Sequence, residues 1–194
     1  DHRDLHSFPT RRSSDLDNLK ARLAYSTISQ LSYIVLAAML ASSIGIVGGA
    51  MHIATHAVGK ITLFFCAGVI YAATGEIEIS RMRGLGRRMP WTMGAFAVAS
   101  LSIIGLPPFG GLWSKWYLAL GTLDAGQYLL LAVLLVSTLL NIAYLIPIPL
   151  RAFLSSPQDI PEGGMREAPT LSVIALVVTA LGTFILFQIG RAHV

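Results

Sequence analysis

Charge is what this sequence has least of. Of its 194 residues only 12% are Asp, Glu, Lys or Arg, about half of the roughly 25% found in soluble domains, which excludes a surface wetted on all sides. Cysteine is almost missing as well. The single Cys66 lies inside an apolar run, so no intrachain disulfide and no cysteine cluster for iron and sulfur can form, and it reads as a small buried hydrophobe. A Gly-rich dinucleotide fingerprint is also absent, so the chain carries neither hydride nor electron transfer. No cofactor, no bound metal and no catalytic site are expected of it. The net charge of +4 does not point to nucleic acid, because the basic residues fall in small groups between apolar runs and not on one face.

In place of charge there is hydrocarbon. Hydrophobic residues make up 54% of the chain and the mean hydropathy is +0.67. So apolar a chain has too much surface to hide to stay disordered, and the expected class is an integral membrane protein. One span takes about 20 residues, so the length allows five or six spans with short loops and no soluble domain.

The two ends differ from the rest. Residues 1–16 are polar and basic, with Arg11, Arg12, Ser13 and Ser14. The acids Asp1, Asp4 and Asp15 argue against a transit peptide, and there is no apolar h-region for a signal peptide. Ser7 to Asp15 and Ile189 to Val194 instead resemble translated sequencing adapters. Residues 1–16 and 189–194 are therefore expected to be artefacts and are set aside, together with His2, His6, His193, Arg3, Arg11, Arg12 and Arg191. His52 and His56 are the histidines left.

Apolar runs occur at Leu23–Ala41, Gly45–Ala73, Trp91–Leu106, Leu112–Leu120, Gln127–Phe153 and Thr170–Phe187. The second run is expected to include a short loop before its helix. Only Pro107-Pro108-Phe109-Gly110-Gly111 separates the third from the fourth. Taken as one straight helix, Pro90 to Leu120 would reach about 46 Å, beyond a hydrocarbon core of about 30 Å. One discontinuous span is more economical than two, giving an all-α, polytopic bundle of about five spans. Loop charges agree with that count, because Lys and Arg collect on the cytoplasmic side. Lys20 and Arg22 precede the first span, Arg81, Arg83, Arg87 and Arg88 follow the second, and Arg151 and Arg166 follow the fourth. The intervening loops near Ser42–Gly48 and Gly121–Gly126 have no Lys or Arg.

Four ionisable groups remain at membrane depth: His52, His56, Lys60 and Lys115. Such groups cost about 2.5–3.5 kcal/mol each on the insertion scale for Lys and mark ion or proton pathways. His52, His56 and Lys60 are spaced i, i+4, i+8, which places them on one helix face. Two imidazoles and an amine in a row suit a proton relay. Metal binding by the His pair is a rival, but no Asp, Glu or Cys joins that face. Histidines acting as hydrogen-bond glue between helices are another, although glue does not require a buried amine. In the broken span, Pro107 and Pro108 cannot continue the helix, Gly110 and Gly111 loosen it, and non-helical backbone at this depth needs protein or trapped water to satisfy it. Lys115 follows the break, where desolvation penalises the charged form of an amine; the alternative is a simple kink with Lys115 snorkelling to an interface. Ser26, Thr27, Ser29, Gln30, Ser32 and Tyr33 in the first span, and Ser137, Thr138 and Asn141 in the fourth, suit either a wet lining or helix-to-helix hydrogen bonds. Trp91, Trp113, Trp116 and Tyr117 suit interfacial belts, with the middle pair expected to pack near the break.

Four motifs carry a family resemblance. They are Leu19-Lys20-Ala21-Arg22-Leu23-Ala24-Tyr25-Ser26-Thr27-Ile28-Ser29-Gln30; His52 and His56 followed by Ala57, Lys60, Leu63 and Phe64; Gly84-Leu85-Gly86 before Met89-Pro90; and Gly105-Leu106-Pro107-Pro108 through Ser114-Lys115. Together they resemble the antiporter-like proton-translocating subunits of respiratory complex I and of the Mrp cation/proton antiporters, with the Gly105–Gly111 run and Ser114-Lys115-Trp116-Tyr117 leaning toward the Mrp D type. The resemblance implies that residues 17–188 are a fragment of the proton-conducting transporter domain, namely the second of two inverted repeats without its first helix, followed by the final core helix. It implies that Lys115 is the lysine of the second broken helix, that His52, His56 and Lys60 form the central relay, and that Lys20 is a further lysine on that axis. Composition alone would leave Lys20 a loop charge. The implied setting is a bacterial inner membrane. The implied partners are the lipid bilayer, protons and a monovalent cation, and other membrane subunits of a respiratory or antiporter complex.

Overall fold

Asn18 and Ser42 start the first two long helices by the same device. Each side chain accepts a hydrogen bond from a backbone N–H three residues on, Ala21 for Asn18 (3.1 Å) and Gly45 for Ser42 (3.0 Å), satisfying a donor that the helix itself leaves free. The computed structural model describes residues 17–155 and 167–192. Within them the chain runs through α1 (Leu19–Leu40), α2 (Ser43–Thr74), α3 (Leu85–Arg88), α4 (Pro90–Ile104), α5 (Gly111–Asp124), α6 (Tyr128–Leu145), α7 (Pro147–Leu154) and α8 (Thr170–Arg191), with a 3-10 turn at Ile79–Arg81. The expected artefact 1–16, Arg166 and His193–Val194 lie outside the described residues. Ile189 to Arg191 continue α8, and Gly190 is buried against Trp113.

The fold is an all-α membrane bundle. Among the described residues four helical stretches are long and apolar enough to cross a bilayer: Leu19–Leu40, Ser43–Thr74, Tyr128–Leu154 and Thr170–Arg191. The third comprises α6 and α7, which meet at Ile146 just before Pro147. At 15 and 14 residues, α4 and α5 are each too short to cross alone. α2 occupies the centre and packs against α1, α4, α5 and α8. The outer faces are apolar: Val35, Ile61, Leu129, Val133 and Leu171 are exposed. The interior, in contrast, holds Gln30, His52, Lys60, Ser114, Lys115 and Asn141. Apolar outside and polar within is the arrangement hydrocarbon solvent selects.

The loop expected at the start of the second apolar run does not form. α2 is continuous from Ser43 over 32 residues, because the glycines there serve helix packing and not chain reversal. A Cβ on Gly49 would lie 2.5 Å from the Cβ of Ala37, and one on Gly48 would lie 2.8 Å from the backbone nitrogen of Leu118. Trp113 packs by stacking on Phe187 at 5.8 Å, whereas Trp116, expected beside it near the break, faces outward.

The basic loops converge on one end of the bundle. The Leu19 N–H donates to the carbonyl of Ile77 (2.8 Å), the Gly84 N–H donates to that of Arg151 (3.3 Å), and Phe153 covers Gly86. Here Arg81 pairs with Glu76 (2.9 Å) and Glu78 (3.0 Å), contacts that hold its guanidinium above its usual pKa. Glu167 accepts from the Trp91 N–H at 2.9 Å, placing a carboxylate at the positive end of α4. The opposite end joins the loops free of Lys and Arg, where Gly45 and Gly121 bring α2 and α5 into backbone contact.

The break between α4 and α5 is tied down by protein. α4 ends at Ile104 and is capped by Gly105, whose φ of 91° is in the left-handed region that glycine adopts without strain. The Gly110 N–H then donates to the carbonyl of Thr183 in α8 (2.9 Å), and a Cβ on Gly111 would lie 1.8 Å from the carbonyl oxygen of Ser102. Gly111→Ala is therefore expected to destabilise the bundle by about 1–3 kcal/mol or more through overpacking. Gly68→Ala, in an α2 position with open space around it, should be neutral or stabilising by up to about 1 kcal/mol. Thermal aggregation midpoints of the detergent-solubilised assembly compare the two, and equal midpoints would remove the steric argument.

Candidate functional site

The i, i+4, i+8 row on α2 faces the interior. His52, His56 and Lys60 are exposed by only 2%, 8% and 5%, and Lys115 by 7%. The row covers about 12 Å of the helix axis. The His52 and His56 rings stack with centroids 5.9 Å apart. Neither amine snorkels out. The Lys60 Nζ donates to the Leu23 carbonyl (3.0 Å) and the Ser26 hydroxyl (2.7 Å) of α1. The Lys115 Nζ reaches back across the break and donates to the carbonyl of Ile104 at 2.9 Å, an acceptor left open where α4 ends.

Ser114, next to Lys115, links the row to the broken segment. Its Oγ lies 3.1 Å from the His52 Nδ1 and donates to the Gly111 carbonyl at 3.0 Å, so that an imidazole of α2 sits one residue from the α5 lysine. Tyr33 of α1 closes the same pocket: its ring meets His52 edge-on at 5.3 Å and lies 5.3 Å from the Lys115 Nζ. His52, His56, Lys60 and Lys115 are thus brought together. Lys20 is not among them. It is exposed at the basic end, with its Nζ 4.2 Å from the centroid of the Tyr71 ring, and Tyr71 is about 16 Å from Lys60 along α2.

A second set of polar groups runs from Lys60 through α1 and α6. The Ser26 Oγ lies 2.7 Å from the Tyr144 hydroxyl, and that hydroxyl donates to the Asn141 Oδ1. The Asn141 Nδ2 donates to the Tyr33 hydroxyl (3.3 Å), which donates to the Ser137 Oγ (2.7 Å). Of the polar residues expected in these two helices, Ser26, Gln30, Tyr33 and Asn141 are buried, while Ser32 is exposed and Thr27 and Thr138 donate back to their own helices.

Tyr144, Ser100 and Ser102 escaped the sequence reading. A signal for Tyr144 was available: Ser26, Gln30, Tyr33 and Ser137, Asn141, Tyr144 both follow the i, i+4, i+7 period of one helix face. Several buried polar atoms in this interior have no protein hydrogen-bond partner among the described residues, namely both amide atoms of Gln30, the His52 Nε2, the His56 Nδ1 and the hydroxyls of Ser100 and Ser102.

A cavity of about 400 Å³, lined by Arg22, Tyr25, Ser26, Ser29, Ala143 and Tyr144, opens beside the Ser26–Tyr144 pair. Another, of about 630 Å³ between α4 and α8, is walled by Trp91, Val98, Phe109 and Phe184. It has no titratable lining. Cys66 is buried against α4, within 3.4 Å of the Thr92 carbonyl. Among the described residues no three His, Cys, Asp or Glu side chains converge as metal ligands would.

The chain has relatives among known proteins. Residues 15–141 match the family described as NADH:quinone oxidoreductase/Mrp antiporter, TM. The chain is 39% identical to NADH-quinone oxidoreductase subunit N of Desulforudis audaxviator over 84% of its length, and 30% identical to the D-type subunit of the Na(+)/H(+) antiporter of Alkalihalophilus pseudofirmus over 83%. It spans 35% and 34% of those proteins, about a third of each. Its fold is similar to a chain of the Mrp complex from Dietzia sp., with a TM-score of 0.82, 24% identity, and coverage of 90% of this chain and 40% of that one. Both branches are represented, and what they share is the level of the assignment. This chain is a multi-pass integral membrane protein belonging to the transmembrane family common to NADH:quinone oxidoreductases and Mrp antiporters.

Proposed function

We propose that this chain is the second-repeat portion of a proton-translocating membrane subunit, moving protons, or exchanging a monovalent cation for them, through buried lysines, histidines and water. In this reading α4 and α5 are the two halves of one discontinuous crossing, which brings the spans to five, with the basic end cytoplasmic. A proton passes from Lys60 along His56 and His52, and across bound water and Ser114, to Lys115. Lys20 serves at the basic end. Coupling to neighbouring membrane subunits, in a quinone-reducing or an antiporter assembly, supplies the bias. One charge crossing 100 mV involves about 2.3 kcal/mol, within what pairing and unpairing a buried amine can shift.

One observation carries the reading: two amines and two imidazoles are all nearly inaccessible from outside and line one interior. Buried polar atoms lacking a protein partner occur beside them, at Gln30, His52 and His56. In a polar site of sufficient size such atoms are bridged by water, and water supplies the hops between groups too far apart to exchange protons directly. The cavity beside Ser26 and Tyr144 offers access to Lys60 from the side.

A scaffold role is the specific rival, because each buried amine donates to a backbone carbonyl of another helical segment and could simply hold the bundle together. Lys115→Ala in the complete parent complex separates the two. Normal assembly with driven proton movement reduced about tenfold or more is expected. Unchanged proton movement in an assembled complex would leave only the scaffold. Ser114→Ala removes the hydrogen bond to His52 without touching either amine, and the expected effect is smaller. Losing one buried hydrogen bond of about 1 kcal/mol should slow proton movement severalfold with assembly intact, as measured by acidification of the lumen of reconstituted vesicles.

A further inference from the structure

The hydrogen-bonded set running through α1 and α6 has a property that the proposed route does not use. From Lys60, the Ser26 and Tyr144 hydroxyls follow one another at 2.7 Å, and beyond Asn141 the Tyr33 and Ser137 hydroxyls do the same. A hydroxyl both accepts and donates, so each of these pairs can relay a proton: a proton arrives on the oxygen and the original proton leaves from it. Asn141 stands between the two pairs, accepting from Tyr144 through Oδ1 and donating to Tyr33 through Nδ2. Its carbonyl is a pure acceptor and its amino group a pure donor. In either orientation of the amide, a proton arriving on one side has no counterpart that can leave on the other.

We infer that Asn141 is an insulating link, a positioning residue that joins Lys60 by oriented hydrogen bonds to Tyr33, whose ring walls the Lys115 pocket, while blocking proton transfer along those bonds. The far side of the link reaches that pocket because the Tyr33 ring faces both the Lys115 amine and His52 at 5.3 Å. Hydrogen bonds in a chain polarise one another, so a change of charge at one end is felt at the other through Asn141. Asn141 is completely buried, which keeps bulk water from bridging it. Without the amide, four hydroxyls would run in sequence from Lys60 to Tyr33, whose ring walls the Lys115 pocket, and on to Ser137, and a proton could bypass the histidines along them. The function assigned to Asn141 is to prevent that short circuit, and it rests on the proton-translocating reading above.

Asn141→Asp supplies the test. The protonated carboxyl group of an aspartic acid can accept the Tyr144 proton on its carbonyl oxygen while its own hydroxyl proton leaves from the other oxygen to Tyr33, completing the relay. The complete parent complex is reconstituted in vesicles, with turnover off and the potential clamped by potassium and valinomycin, and an internal pH dye reads passive proton leak. N141D is expected to raise the leak about tenfold or more, the order that a positioned proton-transferring group contributes. Adding Tyr144→Phe, which removes the upstream hydroxyl, is expected to return the leak to the parental level. A leak that stays at the parental level in assembled N141D overturns the inference, and so does an N141D leak that survives Y144F, since that would be a structural defect. If N141D does not assemble, Asn141→Ser restores a relaying hydroxyl in a smaller side chain and is read by the same criteria. Lys115→Ala in the same vesicles keeps the two claims apart: lost driven movement with no N141D leak removes the insulator alone, and normal driven movement in K115A removes the proton-translocating reading.

Discussion

A charged or strongly polar side chain inside hydrocarbon must be given partners by the protein, and this one requirement organises the bundle. Two amines at membrane depth would be prohibitive if left alone. Each is met by a backbone carbonyl: Leu23 for Lys60, with the Ser26 hydroxyl in addition, and Ile104 for Lys115. The partners come from different segments, so the lysines also define which helices adjoin. α1 must lie against α2 at Lys60, and the end of α4 must lie over α5 at Lys115. The outward surface is left mainly to aliphatic and aromatic side chains.

Meeting that requirement needs close backbone approach, which explains the placement of the glycines. α2 is contacted by α1, α4, α5 and α8, and at each neighbour a glycine or other small residue sets the spacing. Gly49 meets Ala37 of α1, Gly48 meets α5 at Leu118, and Gly59 meets Ile103 of α4, while Gly182 of α8 meets Val58. Lipid tails give helices no hydrophobic reason to associate, so shape fit and interhelical hydrogen bonds must do it. The small residues provide the fit and the polar lane provides the hydrogen bonds. Either alone would leave the imidazoles and amines further from their partners than a hydrogen bond allows.

Much of this was legible in the sequence, for reasons that can be traced to particular residues. The shared face of His52, His56 and Lys60 follows from helical periodicity, and the interruption at Gly105–Gly111 follows from proline and glycine chemistry; both are local properties. The convergence of the basic loops on one end was legible too, because loop charge records sidedness. The continuity of α2 was not, since the same glycines that suggest a loop also permit tight helix packing, and only a neighbour decides between them. Tyr144 was missed because one tyrosine near the end of an apolar helix reads as an interfacial anchor until its i, i+4, i+7 relation to Asn141 and Ser137 is counted. Lys20 carries the opposite lesson. The family resemblance puts it on the axis, composition puts it in a loop, and in the described bundle it stands at the exposed basic end over Tyr71.

The break and Lys115 are best understood as one device. Inside an unbroken helix every carbonyl is already engaged by the N–H four residues on, so a buried amine from the same stretch of chain finds only shared acceptors. Ending α4 at Ile104 releases carbonyls that no intrahelical donor claims, and the negative end of that helix dipole adds to their pull on a cation. The Gly105 N–H takes Leu101 and Ser102, which leaves Ile104 for the amine. The turn of Pro107, Pro108, Phe109 and Gly110 then brings α5 back so that Lys115 points at the carbonyl that the end of α4 has freed. Gly111 has to be glycine for this return, since the Ser102 carbonyl occupies the space of a side chain. Moving the break by even one turn would separate the amine from its acceptor by about 5.4 Å, so the spacing between Ile104 and Lys115 is fixed by the contact that satisfies the buried amine.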